Sequence, residues 1–272
     1  MKLSEDINYH PIKTQTQLVR STSQPIDYNK MTISGIPKLL KLEDYTSRSI
    51  HEAEGAITAH TELGLYNQCV EFVTNISKQL KIQTHIMCTA YNLMHSYLKK
   101  VPFTVEDRLA LCCVCVYTAC KIDYRHQSLE TFISLYLEYN KSVLSKKRVK
   151  HEGDLKTQLM VDFCTIEIGL LNSISYEMEF DIPLRYRDPF NSQYLQGLKS
   201  KLLQEVPQAV DTIKRVFRLF NEVIIKFLKD SYLRDFCLYF PGASIYAACI
   251  LIADQFINYL LIPMVTSVDS KS

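Results

Sequence analysis

Cysteine is the residue type with the most chemical potential in this chain, because four of its nine cysteines fall in one short stretch. Cys112, Cys113, Cys115 and Cys120 lie within 108–121. Thiolates bind zinc when CxxC pairs on turns bring four sulfurs together. Here adjacent and i+2 residues would point to different faces of a helix, and no CxxC pair stands on a turn. The pattern therefore favours core packing over a metal site, and no cofactor is predicted.

Catalytic motifs are a second possible source of chemistry, and the sequence contains none that is convincing. It has no Gly-rich phosphate loop, no HExxH motif and no GxSxG motif. The seven histidines are scattered, and His85 and His95 share a predicted helix without a matching cluster of carboxylates or thiols. We interpret both as partly exposed or hydrogen-bonded helix residues and expect the chain not to be an enzyme.

The element that holds the cysteines is RLALCCVCVYTACK at 108–121, the stretch around which the chain is organised. Twelve uncharged residues lie between its two cations, without Gly or Pro. A segment apolar on all sides is a fully buried helix or a short core strand, and this length favours the helix. Thr104 is suited to the N-cap, Asp107 to the first turn and Lys121 to the last turn. The sequence thus predicts a buried central helix with other helices packed around it.

Four more helices are predicted in the first half, because apolar residues recur there at helical spacing between turn signals. They span about 57–80, 84–99, 128–139 and 157–176. The last of them keeps its apolar period through Leu159, Phe163, Ile166, Leu170, Ile174 and Met178.

The second half repeats this theme. Amphipathic helices at about 188–203 and, after Pro207, at about 208–232 lead through a turn into a buried, Ala/Cys-rich helix at 243–254, with room for one short helix after it. CVYTACK at 115–121 and CILIADQ at 249–255 align with an offset of 134 (249 − 115). The alignment indicates two copies of one helical unit.

Composition and charge limit the class of protein. With 272 residues, 47% hydrophobic and 22% charged, the chain can build one large globular domain or two ordinary ones. A net charge of +2 gives no electrostatic case for nucleic acid as the main partner. An odd cysteine count and no apolar signal segment predict reduced thiols in the cytosol or nucleus. The uncharged run 236–253 has the length of a membrane span, but Pro241-Gly242 interrupts it, so a buried helix is preferred.

Two polar segments lie outside the predicted core. Residues 1–50 are rich in Ser, Thr, Gln, Lys and Asn with weak periodicity, which predicts a partly disordered tail. Residues 140–156 are rich in Lys and Arg. A nucleic-acid contact is one interpretation of this basic loop, and a solvated loop is the preferred one.

Four segments resemble the cyclin box and its repeat. QLKIQTHIMCTAYNLMHSYL (79–98) is similar to the first and second helices of cyclins, and LALCCVCVYTACKID (109–123) to the third. IEIGLLNSISYEMEF (166–180) resembles the fifth helix, and KDSYLRDFCLYFPGASIYAACILIA (229–253) the second repeat of transcriptional cyclins, cyclin C in particular. The resemblance implies an all-α fold of two tandem five-helix cyclin-box repeats, 51–182 and a shortened 183–272.

The resemblance also implies a function and a site. Cyclins are non-catalytic subunits that bind and activate a cyclin-dependent serine/threonine kinase. In the family, a Lys ending the third helix and a Glu at the start of the fifth come together and bond kinase backbone groups, and Lys121 and Glu167 match them. The positions that match the family's apolar contact face are Ile122, Leu171, Tyr176 and Met178.

Departures from the family pattern favour a transcriptional cyclin over a cell-cycle one. Residues 65–69, LYNQC, lack the Arg and the apolar residues of the cell-cycle substrate-docking motif. In the family an acidic pair follows this Lys; here only its first residue, Asp123, is acidic, and the second is Tyr124. The resemblance therefore implies a nuclear heterodimer with a kinase, within a larger complex that regulates RNA polymerase II transcription, without membrane or direct nucleic-acid contact.

Three alternatives remain open from the sequence. One is a cyclin-fold general transcription factor that grips promoter DNA, although such a protein should be strongly basic. Another is a helical scaffold that kept the fold and lost kinase binding. The third is an all-α protein attached to membranes.

Overall fold

One helix organises the first half of the chain, as predicted. The computed structural model describes residues 49, 57–104, 107–141, 152–205 and 210–266, which all lie in one compact unit, Gly35–Ser272. The helices of the first half are α1 (Ala59–Gln79), α2 (Thr84–Leu98), α3 (Arg108–Ile122), α4 (Leu129–Tyr139) and α5 (Glu152–Ser173). The described residues contain helices and turns but no strand, which confirms the all-α prediction.

Helix α3 is the centre of this bundle. It packs against α1, α2, α4 and α5. Residues 110–116 and 118–120 are buried, so apolar side chains on every side of the helix are removed from water. Its small Ala and Cys side chains let four neighbouring helices approach it.

Local signals set the helix ends, and one predicted cap is wrong. Asp107, not Thr104, is the N-cap of α3, because its Oδ1 accepts hydrogen bonds from the N–H groups of Leu109 at 2.9 Å and Ala110 at 3.2 Å. A carboxylate at this end also complements the helix dipole.

The boundaries of α5 differ from the prediction, whereas those of α2 agree with it to within one residue. Helix α2 starts at Thr84 after the N-cap Gln83, which makes no side-chain capping bond. Helix α5 begins at Glu152 rather than near residue 157, and it ends at Ser173 rather than near residue 176. The polar residues at the start of α5 carry no apolar period, so pattern alone could not place its beginning.

The second half is helical as well. A 3₁₀ turn (Pro183–Tyr186), α6 (Arg187–Phe190), a π-helical turn (Asn191–Leu195) and α7 (Gln196–Glu205) follow one another without a break. They are followed by α8 (Val210–Ser231), a 3₁₀ turn (Asp235–Leu238) and α9 (Gly242–Thr266).

Helix α9 corrects two predictions. It continues past Asp254 to Thr266, so no separate short helix follows within the described residues. It is also buried on one face only: Cys249 and Ala253 are buried, whereas Leu251 and Ile252 are exposed. The sequence predicted a fully buried helix because nearly all of its residues are apolar.

Some predictions fall on residues that the structure does not describe. The tail 1–50, apart from Ser49, and the stretch 142–151 of the basic loop lie outside the described residues. The division into repeats at 51–182 and 183–272 stays a prediction. In the parts of the chain that are described, none of the helices is long and apolar enough to cross a membrane.

Candidate partner-binding site

An ion pair joins the central helix to α5. Lys121 Nζ in the last turn of α3 lies 2.5 Å from Glu167 Oε1. The hydroxyl of Thr118, one turn earlier on α3, donates a hydrogen bond to the same oxygen at 2.9 Å. Lys121 Nζ also lies 4.7 Å from the centroid of the Tyr117 ring, within cation–π range. The structure therefore brings together the two charged residues that the resemblance singled out.

The position of Glu167 differs from the expectation. The family resemblance implied a Glu at the start of the fifth helix, but Glu167 lies in the second half of α5, because α5 begins at Glu152. This position brings the carboxylate beside the C-terminal end of α3.

The ion pair lies at the surface. The side chain of Lys121 is 46% exposed and that of Glu167 is 16% exposed. A pair this accessible contributes only about 0–1 kcal/mol to the stability of the fold. The ammonium group has three donors and remains open to solvent, so it can donate further hydrogen bonds to a bound molecule.

The four apolar residues of the predicted contact face differ in exposure. Ile122 is partly buried and packs against the core, and Leu171 is partly buried as well. Tyr176 and Met178, which follow the end of α5, are exposed. The two exposed side chains offer apolar surface that folding does not use.

Sequence reasoning missed a second group of apolar residues, which we call the α5 apolar stripe: Met160, Val161, Cys164 and Ile168. Val161 and Ile168 are 57% and 58% exposed, Met160 is also exposed, and Cys164 is the exposed one of the nine cysteines. Spacings of three and four residues put Val161, Cys164 and Ile168 on one face of the helix.

A signal for the stripe was present in the sequence. The predicted inward residues Leu159, Phe163, Ile166 and Leu170 are buried, as expected. Helix α5 has more apolar residues than one buried face can hold. A helix apolar on two faces buries both or exposes one to a partner, and only packing decides between these outcomes.

Tyr124 is a further exposed side chain near the ion pair that sequence reasoning did not assign to the site. It follows the C-cap Asp123 of α3, and the residue is 91% exposed to solvent. Beside it, Asp123 Oδ1 lies 3.1 Å from Nε2 of His85 on α2, and both groups are partly exposed. The end of α3 therefore presents a charged pair, an imidazole–carboxylate contact and a free aromatic ring.

The cysteines of α3 have the structural role that the sequence predicted. Cys112, Cys113, Cys115 and Cys120 are buried in the core. Burial raises the pKa of Cys120 to about 11 and raises that of Cys113 still further, so these thiols stay protonated at neutral pH. Among the described residues, no group of three or more His, Cys, Asp or Glu side chains could hold a metal ion.

Comparisons with known proteins agree with the resemblance. Residues 40–179 match the family described as cyclin, N-terminal domain. No curated protein matches the chain. A chain of the crystal structure of the yeast RNA Pol II CTD kinase CTDK-1 complex is similar in fold, with a TM-score of 0.52 and 17% identity over 74% of this chain. This chain spans 57% of that chain's length.

A second solved structure is also similar. It is a chain of the cryo-electron microscopy structure of the yeast TFIIK (Kin28/Ccl1/Tfb3) complex, with a TM-score of 0.48 and 16% identity. The match covers 79% of this chain and 85% of that chain.

Proposed function

We propose that this chain, which belongs to the family of the cyclin N-terminal domain, is a non-catalytic regulatory subunit that binds and activates a cyclin-dependent serine/threonine kinase. The partnership is a heterodimer within a larger complex that regulates RNA polymerase II transcription, and its site of action is the nucleus. Membrane attachment and direct nucleic-acid binding are not part of this function.

The observation that carries the proposal is the Lys121–Glu167 pair. A fold needs no solvent-open ion pair at this position, because such pairs add little stability. A binding surface does benefit from one, since charged donors and acceptors make stronger hydrogen bonds to backbone groups than neutral ones do. Lys121 suits kinase carbonyl groups and Glu167 suits kinase N–H groups.

Exposed apolar surface around the pair supplies the area that a stable interface needs. We assign Ile122, Leu171, Tyr176 and Met178 to the contact face and add the α5 apolar stripe to it. Interfaces combine an apolar centre with a few polar anchors that fix the register. The ion pair gives this face its anchors, and the apolar side chains give it the area to be buried.

The physical basis of activation is the immobilisation of a mobile element of the kinase. A protein kinase is active when its regulatory helix is positioned so that a Lys–Glu pair and the activation loop assemble. A rigid helical bundle that binds this helix shifts the equilibrium toward the active arrangement. Helix α3, buried on all sides, makes the platform rigid where Lys121 is held.

Two observations support a transcriptional partner. The yeast complex that contains the similar chain is an RNA Pol II CTD kinase. At 65–69, where cell-cycle cyclins carry a substrate-docking motif, Tyr66 and Cys69 are buried in the core and offer no docking surface. Nuclear localisation follows from a role in transcription.

The proposal is tested by measuring binding of the full chain to the cyclin-dependent kinases of the same organism, with stimulated phosphorylation as the second readout. We expect one kinase to bind and to be activated. Lys121→Ala and Glu167→Ala should each weaken binding by about 2 kcal/mol or more, roughly thirtyfold. Circular dichroism should show that both variants remain folded, because the pair is worth at most about 1 kcal/mol to the fold.

Lys99→Ala is the matched control, because Lys99 Nζ belongs to a different ion pair, 3.9 Å from Asp235. It should bind the kinase like the wild type. Kinase binding that survives in folded Lys121 and Glu167 variants would leave the family role intact and remove these residues from the interface. Absence of binding to every kinase would contradict the proposal and lead to a promoter-DNA binding assay.

A further inference from the structure

Folding buries almost none of the surface of Tyr124. It is the most exposed large apolar side chain of the described residues, at 91%. It lies three residues after Lys121 and two after Ile122, at the edge of the proposed contact face. An aromatic ring that stays in water adds no burial to the core.

The backbone at Tyr124 also favours a different residue. Its φ is 53°, in the left-handed region. The Arg125 N–H donates to the Cys120 carbonyl at 2.8 Å, and the Tyr124 N–H donates to the Lys121 carbonyl at 3.1 Å. These two bonds form a Schellman motif with Tyr124 at its left-handed position, where glycine has no Cβ penalty. Both burial and backbone conformation argue against tyrosine, so its presence points to a role other than folding.

We propose that Tyr124 is a specificity-determining contact of the kinase interface, and that it selects a partner whose surface facing the end of α3 is apolar rather than basic. This inference rests on the proposed function. Large aromatic side chains that are exposed in the free protein are the residues that most often anchor interfaces. The backbone at Tyr124 loses little conformational freedom on binding, because the Schellman motif already fixes it.

The choice of an apolar partner surface follows from the charges beside Tyr124. Asp123, the residue before Tyr124, has its Oδ1 3.1 Å from His85 Nε2. A carboxylate in contact with an imidazole attracts a basic partner group less than a free carboxylate would. The ring of Tyr124 instead offers apolar area to an apolar surface.

The test uses three variants of the full chain with the kinase that it binds, measuring affinity and the midpoint of thermal unfolding. Tyr124→Gly should keep or raise the midpoint, because glycine suits the positive φ, and should weaken binding by about tenfold or more. Tyr124→Phe should bind within about threefold of the wild type, because it keeps the ring. Tyr124→Glu should bind as weakly as Tyr124→Gly, because it places a charge against an apolar surface.

Lys81→Gly is the matched control for the backbone change. Lys81 has a φ of 52° at the end of α1, where the Ile82 N–H donates to the Ser77 carbonyl at 2.8 Å. We expect it to keep or raise the unfolding midpoint and to leave affinity unchanged. Equal loss of affinity in both glycine variants would overturn the inference, because the loss would then follow from the backbone and not from the ring.

The remaining outcomes separate this inference from the proposed function. If the kinase binds the wild type and Tyr124→Gly equally well, the inference is wrong and the cyclin role stands. If Tyr124→Glu binds as tightly as the wild type, the partner surface is not apolar and the inference is wrong in its chemistry. If no kinase binds the wild type, the proposed function fails and the inference fails with it.

Discussion

His95 on α2 donates a hydrogen bond from Nε2 to the backbone carbonyl of Tyr232, at 2.9 Å and across 137 residues of sequence. The imidazole is completely buried and stacks on the ring of Tyr66, with centroids 5.2 Å apart. Its Nδ1 has no hydrogen-bond partner among the described residues. The bond connects α2 to the residue that follows α8. Because the buried histidine is neutral, its protonation would destabilise this contact.

The first prediction is that stability falls as the pH drops below about 6.5. Burial lowers the pKa of His95 below its usual 6.5, although the Tyr232 carbonyl and the Asp235 carboxylate oppose the shift. The unfolded chain therefore binds the proton first, so stability is complete above pH 6.5 and is lost below it. One such group changes the unfolding free energy by at most roughly 1.4 kcal/mol per pH unit. Urea unfolding at a series of pH values measures this slope.

His95→Gln tests the assignment of the pH dependence, because glutamine keeps an N–H donor for the Tyr232 carbonyl and does not titrate. We expect a shallower decline of stability between pH 6.5 and pH 5. The matched control is His85→Gln on the same helix, whose side chain is partly exposed, and it should keep the wild-type decline. An unchanged slope in His95→Gln would show that another group is responsible.

The second prediction concerns the start of α9. Asp181 Oδ2 accepts a hydrogen bond from the Gly242 N–H at 2.7 Å. A Cβ added at Gly242 would lie 2.6 Å from the backbone oxygen of Asp181. Gly242→Ala should therefore destabilise the protein by about 1–3 kcal/mol, measured by urea unfolding.

Gly64→Ala is the matched control for the glycine substitution. Gly64 lies inside α1, and a Cβ there would meet nothing within 4 Å. We expect this variant to gain roughly 0.5–1 kcal/mol, because alanine restricts the unfolded chain and favours the helix. Equal effects of the two substitutions would contradict the close approach of Asp181 to α9.

The third prediction concerns the hydrogen bond from Thr118 that helps to position the carboxylate of Glu167. Thr118 is buried and donates to Glu167 Oε1 at 2.9 Å. Thr118→Val should cost about 1 kcal/mol of stability, because the hydrogen bond is lost while the volume is kept. We also expect a several-fold loss of kinase affinity, because the carboxylate is then oriented by Lys121 alone. Calorimetric titration measures the affinity.

Thr89→Val serves as the control for the hydroxyl deletion. Thr89 is buried on α2 and donates to the His85 carbonyl at 3.2 Å, without contact to the ion pair. It should lose a comparable or smaller amount of stability and keep its affinity. A Thr118 variant with full affinity would mean that Lys121 alone positions Glu167.

The fourth prediction concerns thiol chemistry on the α5 apolar stripe. Cys164 is the exposed one of the nine cysteines. Burial raises the pKa values of Cys120 and Cys249 to about 11, which keeps these thiols protonated and unreactive. Seven of the other cysteines are buried and Cys237 is partly buried, so at pH 7.5 a maleimide should modify the native protein once, at Cys164, as measured by mass spectrometry.

Binding of the kinase should protect Cys164 from this reaction, because the thiol lies between Val161 and Ile168 on the proposed contact face. Cys164→Ser should show no modification in the native state and so identifies the labelled residue. If labelling proceeds at the same rate in the complex, the stripe lies outside the interface and a different face of α5 has to be tested.

Much of the fold could be predicted from local pattern. The continuous apolar run at 108–121 determined a buried helix, since a helix without a polar side is stable only inside a protein. Periods of 3.6 residues placed the buried face of α5, including Phe163 and Leu170. The choice of Lys121 and Glu167 came from family resemblance, because neither residue is unusual in its own helix.

The exposed surface depended on contacts between segments far apart in the chain. The α5 apolar stripe and the outer face of α9 are apolar in sequence, so hydropathy cannot distinguish them from core. Their exposure follows from which helices pack against them.

The sequence by itself determined the helices, the buried centre and the identity of the charged pair. Only the tertiary structure decided that Lys121 meets Glu167 at 2.5 Å on an open surface, that His95 is buried, and that Tyr124 is free. The physical reason is that periodicity and capping act over a few residues, whereas burial of a side chain is set by every segment that packs around it.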